Sequence, residues 1–301
     1  MLGLPGWEQA GPDIRFTVGG ARTEPLSEHR WYHQYWHRRN GDAWLSCARQ
    51  PEGYLLREHG AGDFFLSADG AAIVCRPDRR AGPREIREAF LYPILPLALN
   101  LRGRDAIHAA AVQVGSGAVA FSGLSGAGKS TLAAYLHRLG YRVLADDYLP
   151  LERRPEGIYV RPGLPEIRLW PSSLDALRKL GPLPWTLDES GKAVLTVDAD
   201  PSFWSASFPL RRLYMMEPRD HNPDGREVIL EALPGTRAFI ELMEQSHRLD
   251  IEDTAMIRRQ TDLFAALVNG PGVRALRIGH GFDLLPRAAE VILDDVNQRN
   301  T

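Results

Sequence analysis

AVAFSGLSGAGKST, residues 118–131, runs from a short apolar strand into a glycine-rich turn and then straight into an amphipathic helix. The turn, Gly123-Leu124-Ser125-Gly126-Ala127-Gly128-Lys129-Ser130, has the spacing of a phosphate-binding P-loop. Its glycines let the backbone wrap closely enough for successive N–H groups to face phosphate oxygens, and the helix N-terminus adds partial positive charge. On this reading 123–131, closing on Thr131, cradles a nucleotide, Lys129 reaches its β- and γ-phosphates, and the Ser130 hydroxyl is a ligand for Mg²⁺. A strand before the turn and a helix over 130–139 that stops at Gly140 separate this motif from an ordinary glycine turn.

The rest of the chain is compatible with one large α/β core and a smaller appended region: 301 residues, 44% hydrophobic and 25% charged. A net charge of −2 with no long basic block argues against a nucleic-acid partner. Three lysines (Lys129, Lys179, Lys192) against 33 arginines make each lysine worth inspecting. Two cysteines, Cys47 and Cys75, build neither a disulfide framework nor a zinc site and are expected to be buried free thiols. The longest apolar run, around 90–101, is interrupted by Pro93 and Pro96 and is too short to span a bilayer. A cytoplasmic protein with no membrane insertion is the expectation.

Between residues 14 and 77 short β-like runs (14–18, 43–48, 53–59, 63–68, 71–76) alternate with turn signals, the best being Asp69-Gly70. This predicts a small antiparallel unit, with a β-rich region over 1–82 and a nucleotide-binding domain over 83–301. A helix over 83–101 leads into strands at 107–114 and 118–122, the P-loop and its helix, a strand at 142–145 and a β-rich stretch over 148–170. Further on, helices are predicted at 172–180, 235–248, 252–268 and 285–298, and strands at 193–197, 210–217 and 274–278. Residues 181–209, with little pattern, read as a mobile loop.

Two carboxylates, Asp146 and Asp147, end the strand that follows the P-loop helix, sixteen residues after Ser130. A right-handed crossover would place that strand beside the P-loop strand, with both acids at its phosphate end. Successive residues leave a strand in opposite directions, so one can hold Mg²⁺ while the other accepts a proton from an incoming hydroxyl. The alternative is that Asp146 caps the strand end and Asp147 is solvated. His108, on the strand before the P-loop strand, can approach the same pocket through a hairpin or simply pack in the core. Glu166 and Arg168 alternate on an extended segment and so face one way, as a metal carboxylate beside a phosphate cation or as a surface ion pair. Lys192, in 181–209, either swings in to neutralise phosphate or stays solvated.

The arrangement Ile107-His108-Ala109-Ala110-Ala111-Val112, Gly123 to Ser130, and Leu144-Ala145-Asp146-Asp147 resembles the catalytic domain of bacterial HPr serine kinases. It looks closest to the shorter HPr-kinase-like proteins, including those that phosphorylate a serine of ribosomally made lasso-peptide precursors. The resemblance implies an α/β fold with a mixed central sheet, of the kind shared with phosphoenolpyruvate carboxykinase, and an ATP- and Mg²⁺-dependent transfer to a serine of a peptide or protein. It implies that His108 supports the catalytic acid, Lys129 contacts phosphate, Asp146 accepts the proton, and Ser130, Asp147 and Glu166 serve the metal. It also allows a homo-oligomer. Pro165-Glu166-Ile167-Arg168 matches that family's segment, but Leu169-Trp170-Pro171 replaces its Gly-Leu-Gly, which argues against the reverse phosphorylase reaction and against HPr as substrate. A nucleotide sensor, a small-metabolite kinase and a peptide-binding module are the other readings.

His29, His33 and His37 recur every fourth residue, a spacing that suits a metal on a helix, yet they also alternate with Trp31 and Tyr35 as a strand would. An aromatic, basic surface that receives a partner peptide is a better reading of this segment than a metal site, and plain packing is the reading that accounts for the remainder.

Overall fold

The computed structural model describes residues 13–20, 31–36, 41–164, 166–180, 186–187, 193–196, 201–217, 225 and 227–298. The chain forms two compact units, Met1–Arg104 with His247–Met256, and Asp105–Ser246 with Ile257–Thr301.

The first unit is a six-stranded sheet in the order β1-β6-β5-β4-β3-β2, from β1 (Arg15–Val18), β2 (His33–Trp36), β3 (Ala43–Gln50), β4 (Gly53–Glu58), β5 (Gly62–Ser67) and β6 (Ala72–Pro77). Hairpins join β3 to β6 as their turn signals dictate, whereas β1 departs from the all-antiparallel expectation and lies parallel to β6. At Asp69-Gly70 the glycine is required twice over: φ is +67°, and a Cβ would stand 2.5 Å from the Ala98 carbonyl oxygen. That carbonyl belongs to the helical segment α1 (Pro83–Ala89), a π-helical turn (Phe90–Ile94) and α2 (Leu95–Leu101). Pro93 has no N–H to donate, and the π turn accommodates it by carrying the Leu95 N–H back to the Phe90 carbonyl.

Ala89, Ile94, Leu97 and Ala98 pack on Leu45, Leu56, Phe64 and Ile73 in one core. The boundary therefore falls after Arg104 rather than at 82/83, because the helix buries its apolar face on this sheet. Cys47 and Cys75 are free and buried in the same core, and desolvation pushes their thiols up to about 12 and about 11.

Tyr32 and Tyr35, from the described part of the aromatic segment, hold another segment of this chain. The Tyr35 hydroxyl donates to the Arg248 carbonyl (2.9 Å), Tyr32 donates to the Leu249 carbonyl, and Arg49 Nε donates to Asp250 Oδ2 (2.8 Å). Leu249 is buried among the apolar side chains of the sheet unit. His33 lies in β2 with its ring edge-on to Tyr35, while His29 and His37 lie outside the described residues.

The second unit is built on β9 (Gly117–Gly123), buried at every position. It pairs antiparallel with β8 (Ala109–Val114) and parallel with β16 (Phe208–Met216). The period of two sorts side chains to two cores. Val119, Phe121, Tyr214 and Met216 face one, with Leu132 and Leu136 of α3 (Lys129–Arg138) and Ile292 and Val296 of α8 (Leu285–Gln298). Ala118, Ala120, Leu213 and Met215 face the other, with Leu242 of α6 (Gly235–Glu244) and Phe264 of α7 (Thr254–Asn269). Helices on both faces explain why β9 has no polar side to show solvent. The fold class is thus α/β with a mixed central sheet.

The predicted strand over 107–114 breaks at His108. Before the break, β7 (Ala106–Ile107) pairs with β11 (Leu149–Arg154), which pairs with β12 (Gly157–Val160); after it, β8 pairs with β9 and with β10 (Val143–Ala145). The β10 strand consequently lies beside β8 and not beside the P-loop strand, because the β8–β9 hairpin already occupies that edge. The beginning of β16 pairs with β12 and its end with β18 (Val273–Ile278), which carries β17 (Val228–Ala232) at the edge. A three-stranded sheet of β13 (Glu166–Leu169), β15 (Ala193–Thr196) and β14 (Thr186–Leu187) leads by way of α4 (Pro171–Lys179) across the stretch read as a mobile loop. That stretch also holds α5 (Pro201–Ser205), so its described parts are ordered elements.

The pairing of β9 with β16 leaves no room at Gly123, where φ is +137° and a Cβ would stand 2.4 Å from the Met216 carbonyl oxygen. Gly123→Ala is expected to cost about 1–3 kcal/mol from backbone strain alone, read as a lower midpoint in equilibrium urea unfolding.

Candidate functional site

At the end of β9 the backbone turns through three positive-φ glycines, Gly123, Gly126 and Gly128, the last being the N-cap of α3. Lys129 is buried, and its ammonium donates to the carbonyls of Gly123 (2.8 Å) and Leu124 (3.1 Å). A buried cation needs such acceptors, and these two hold the loop curled around the place where phosphate oxygens would compete for the same donors.

Asp146 closes the site from below. Its Oδ1 accepts from the Ser130 hydroxyl (2.8 Å) and its Oδ2 from the Arg168 backbone N–H (3.0 Å), so one carboxylate ties α3, the end of β10 and β13 together. Burial, then the neighbouring Asp147, push this carboxyl up to about 7, against the pull of the two donors and of Lys129.

Asp147 takes the other direction. It is the single non-glycine residue with positive φ (+66°) among the described residues, a conformation that Asp tolerates at some cost and that recurs at functional sites. Asp147 Oδ1 stands 3.3 Å from His108 Nε2, and each side chain is about a third exposed. The break in the sheet holds His108 in place. Its N–H donates to the Gln245 carbonyl (2.7 Å), and its carbonyl accepts from the hydroxyl of Ser122, on the P-loop strand (2.9 Å).

These groups line one cleft, which includes His108, Ser125, Gly126, Gly128, Lys129, Ser130, Thr131, Asp147 and Arg168. Asp146 lies beneath it. The acid expected to accept the proton has both oxygens engaged and is buried, and the acid expected at the metal faces the cleft beside the histidine. The physical reason is the left-handed turn at Asp147, which no strand pattern contains.

Glu166 and Arg168 share a face of β13, since Ile167 and Leu169 point into the core. Arg168 lines the cleft and Glu166 is absent from its lining. Among the described residues no three His, Cys, Asp or Glu side chains gather to hold a metal ion, so Asp147 and Glu166 do not form a carboxylate cluster with Asp146. The donors present still fit Mg²⁺, a hard cation bound in such sites through one or two protein oxygens with phosphate and water completing the shell. Ser130, which lines the cleft, would supply one such oxygen, with Asp146 behind it holding the Ser130 hydroxyl. Lys192 and Pro165 lie outside the described residues. The sequence reading missed Ser122, Ser172, Ser173, Trp170 and Phe282, of which all but Ser122 line the cleft. Thr131 Oγ1 donates to Ser173 Oγ (2.9 Å), joining α4 to the P-loop helix.

A carboxyl raised in the folded state and ordinary in the unfolded one stays protonated on folding between about pH 4 and 7, so unfolding releases a proton there. Stability should accordingly fall as pH rises through that window. Thermal unfolding from pH 4 to 8 is expected to show this decline, and Asp146→Asn to flatten it.

No family model matches this chain. No curated protein matches it either. No described helix is long and apolar enough to cross a membrane. Among solved structures, the HPr(Ser) kinase/phosphatase from Coxiella burnetii is similar at 10% sequence identity and a TM-score of 0.31, over 64% of this chain and 98% of that one.

Proposed function

We propose that the chain is an ATP- and Mg²⁺-dependent kinase that transfers the γ-phosphoryl group to a serine hydroxyl of a peptide or protein, a ribosomally made precursor peptide being the acceptor to test first. The observation that carries this reading is the convergence on one cleft of a glycine-rich turn suited to phosphate and a partly exposed carboxylate–imidazole pair. The choice of serine, and of a lasso-type precursor, rests on the motif resemblance to HPr serine kinases.

In this reading the P-loop N–H groups and Lys129 position the β- and γ-phosphates, and Ser130 with Asp146 would hold Mg²⁺. The cation, when bound, offsets charge on the phosphate oxygens. The acceptor hydroxyl oxygen forms a bond to the γ-phosphorus as the bond from phosphorus to the β,γ-bridging oxygen breaks, and ADP leaves. The hydroxyl proton passes to the Asp147 carboxylate, which His108 orients. Arg168, on the cleft wall, meets charge on the transferred group. Asp146 takes no proton from the acceptor; it fixes the Ser130 hydroxyl.

Incubation with γ-labelled ATP, Mg²⁺ and a serine-containing precursor peptide is expected to leave acid-stable label on the serine. Asp147→Asn and His108→Ala should lower kcat by about 10²- to 10⁴-fold with ATP affinity kept, while Asp146→Asn should weaken Mg²⁺-dependent ATP binding. Free phosphate without labelled peptide would instead favour a nucleotide switch.

A further inference from the structure

The cleft is small. It encloses about 160 Å³, well below the roughly 300–1,000 Å³ of pockets that surround a whole drug-sized ligand. A triphosphate chain can occupy that space, and the nucleoside attached to it is then left at the rim. The rim holds Trp170, a cleft-lining residue that is nonetheless 52% exposed. It is the one aromatic among the exposed large hydrophobic side chains of the described residues. Phe282, partly buried, lines the same cleft.

The backbone conformation at Trp170 is narrowly set by its neighbours in the chain. Leu169 before it is buried in the core, Pro171 after it is the first residue of α4, and Trp170 itself is the extended N-cap (φ −66°, ψ 152°). A residue before proline is confined to this region, and proline at the first helical position suits the helix start. The Thr131–Ser173 hydrogen bond and the Asp146–Arg168 hydrogen bond brace the segment on either side of Trp170 against the P-loop helix and the end of β10. A large aromatic side chain on a constrained backbone, lining the cleft and half open to solvent, is suited to stacking on a planar ring.

We infer that Trp170 is the platform on which the nucleobase stacks, with Phe282 beside it, so that this chain reads the base as an aromatic face and discriminates weakly between purines. The inference rests on the nucleotide reading of the P-loop and is independent of which acceptor is phosphorylated. Stacking tolerates any base because every base offers a π-face.

Calorimetric titration of the full chain with ATP, GTP and inorganic tripolyphosphate, each with Mg²⁺, tests it. Trp170→Ala is expected to weaken ATP and GTP alike, by about 5- to 100-fold, to leave tripolyphosphate affinity unchanged, and to be largely rescued by Trp170→Phe. Equal affinity of the wild-type chain for ATP and tripolyphosphate would overturn the stacking role and keep the phosphate site. Equal loss for ATP and tripolyphosphate in Trp170→Ala, or an unchanged ATP affinity with a raised KM for the acceptor peptide, would also overturn it. A wild-type chain that binds none of the three probes sinks the nucleotide reading together with this one, whereas ATP binding without phosphoryl transfer sinks only the kinase.

Discussion

One buried carboxylate organises the site. Asp146 accepts the Ser130 hydroxyl with one oxygen and the Arg168 backbone N–H with the other, and so joins the P-loop helix to β13 and the end of β10. None of these elements pairs with another of the three in a sheet, so their relative position depends on this carboxylate, on the Thr131–Ser173 hydrogen bond and on the shared apolar core. Keeping an acid there is costly, since burial and the adjacent Asp147 both disfavour its charge. The cost falls where a cation beside phosphate would relieve it.

The left-handed turn at Asp147 is the second constraint. Two adjacent acids at a strand end would face opposite sides of the sheet in any case; the positive φ turns the second one toward His108 and the cleft. His108 in turn is placed by a break between β7 and β8 and by hydrogen bonds from Ser122 and to Gln245, residues far apart in sequence. These local geometries leave one carboxylate buried beneath the cleft and the other about a third exposed beside His108.

Much of the first unit was legible, because alternation and turn residues are local signals. The β3 to β6 strands and the Asp69-Gly70 hairpin lie within two residues of where pattern places them. Its limits were not legible. The 83–101 helix carries no mark of the sheet it packs on, and nothing in Arg248-Leu249-Asp250 indicates that Tyr32, Tyr35 and Arg49, some two hundred residues earlier, hold that segment.

By itself the sequence determined the glycine-rich turn after β9, the helix behind it and the mixed α/β character, and it named His108, Lys129, Ser130, Asp147 and Arg168, which the structure brings to one cleft with Asp146 beneath, because each depends on residue type and short-range spacing. The tertiary structure decided which acid is buried, which strand neighbours the P-loop strand, where the unit boundary falls, and that Trp170 stands at the rim of the cleft. Those outcomes depend on hairpin pairing that claims a sheet edge, on desolvation, and on contacts between residues distant in the chain, none of which leaves a periodic trace in the sequence.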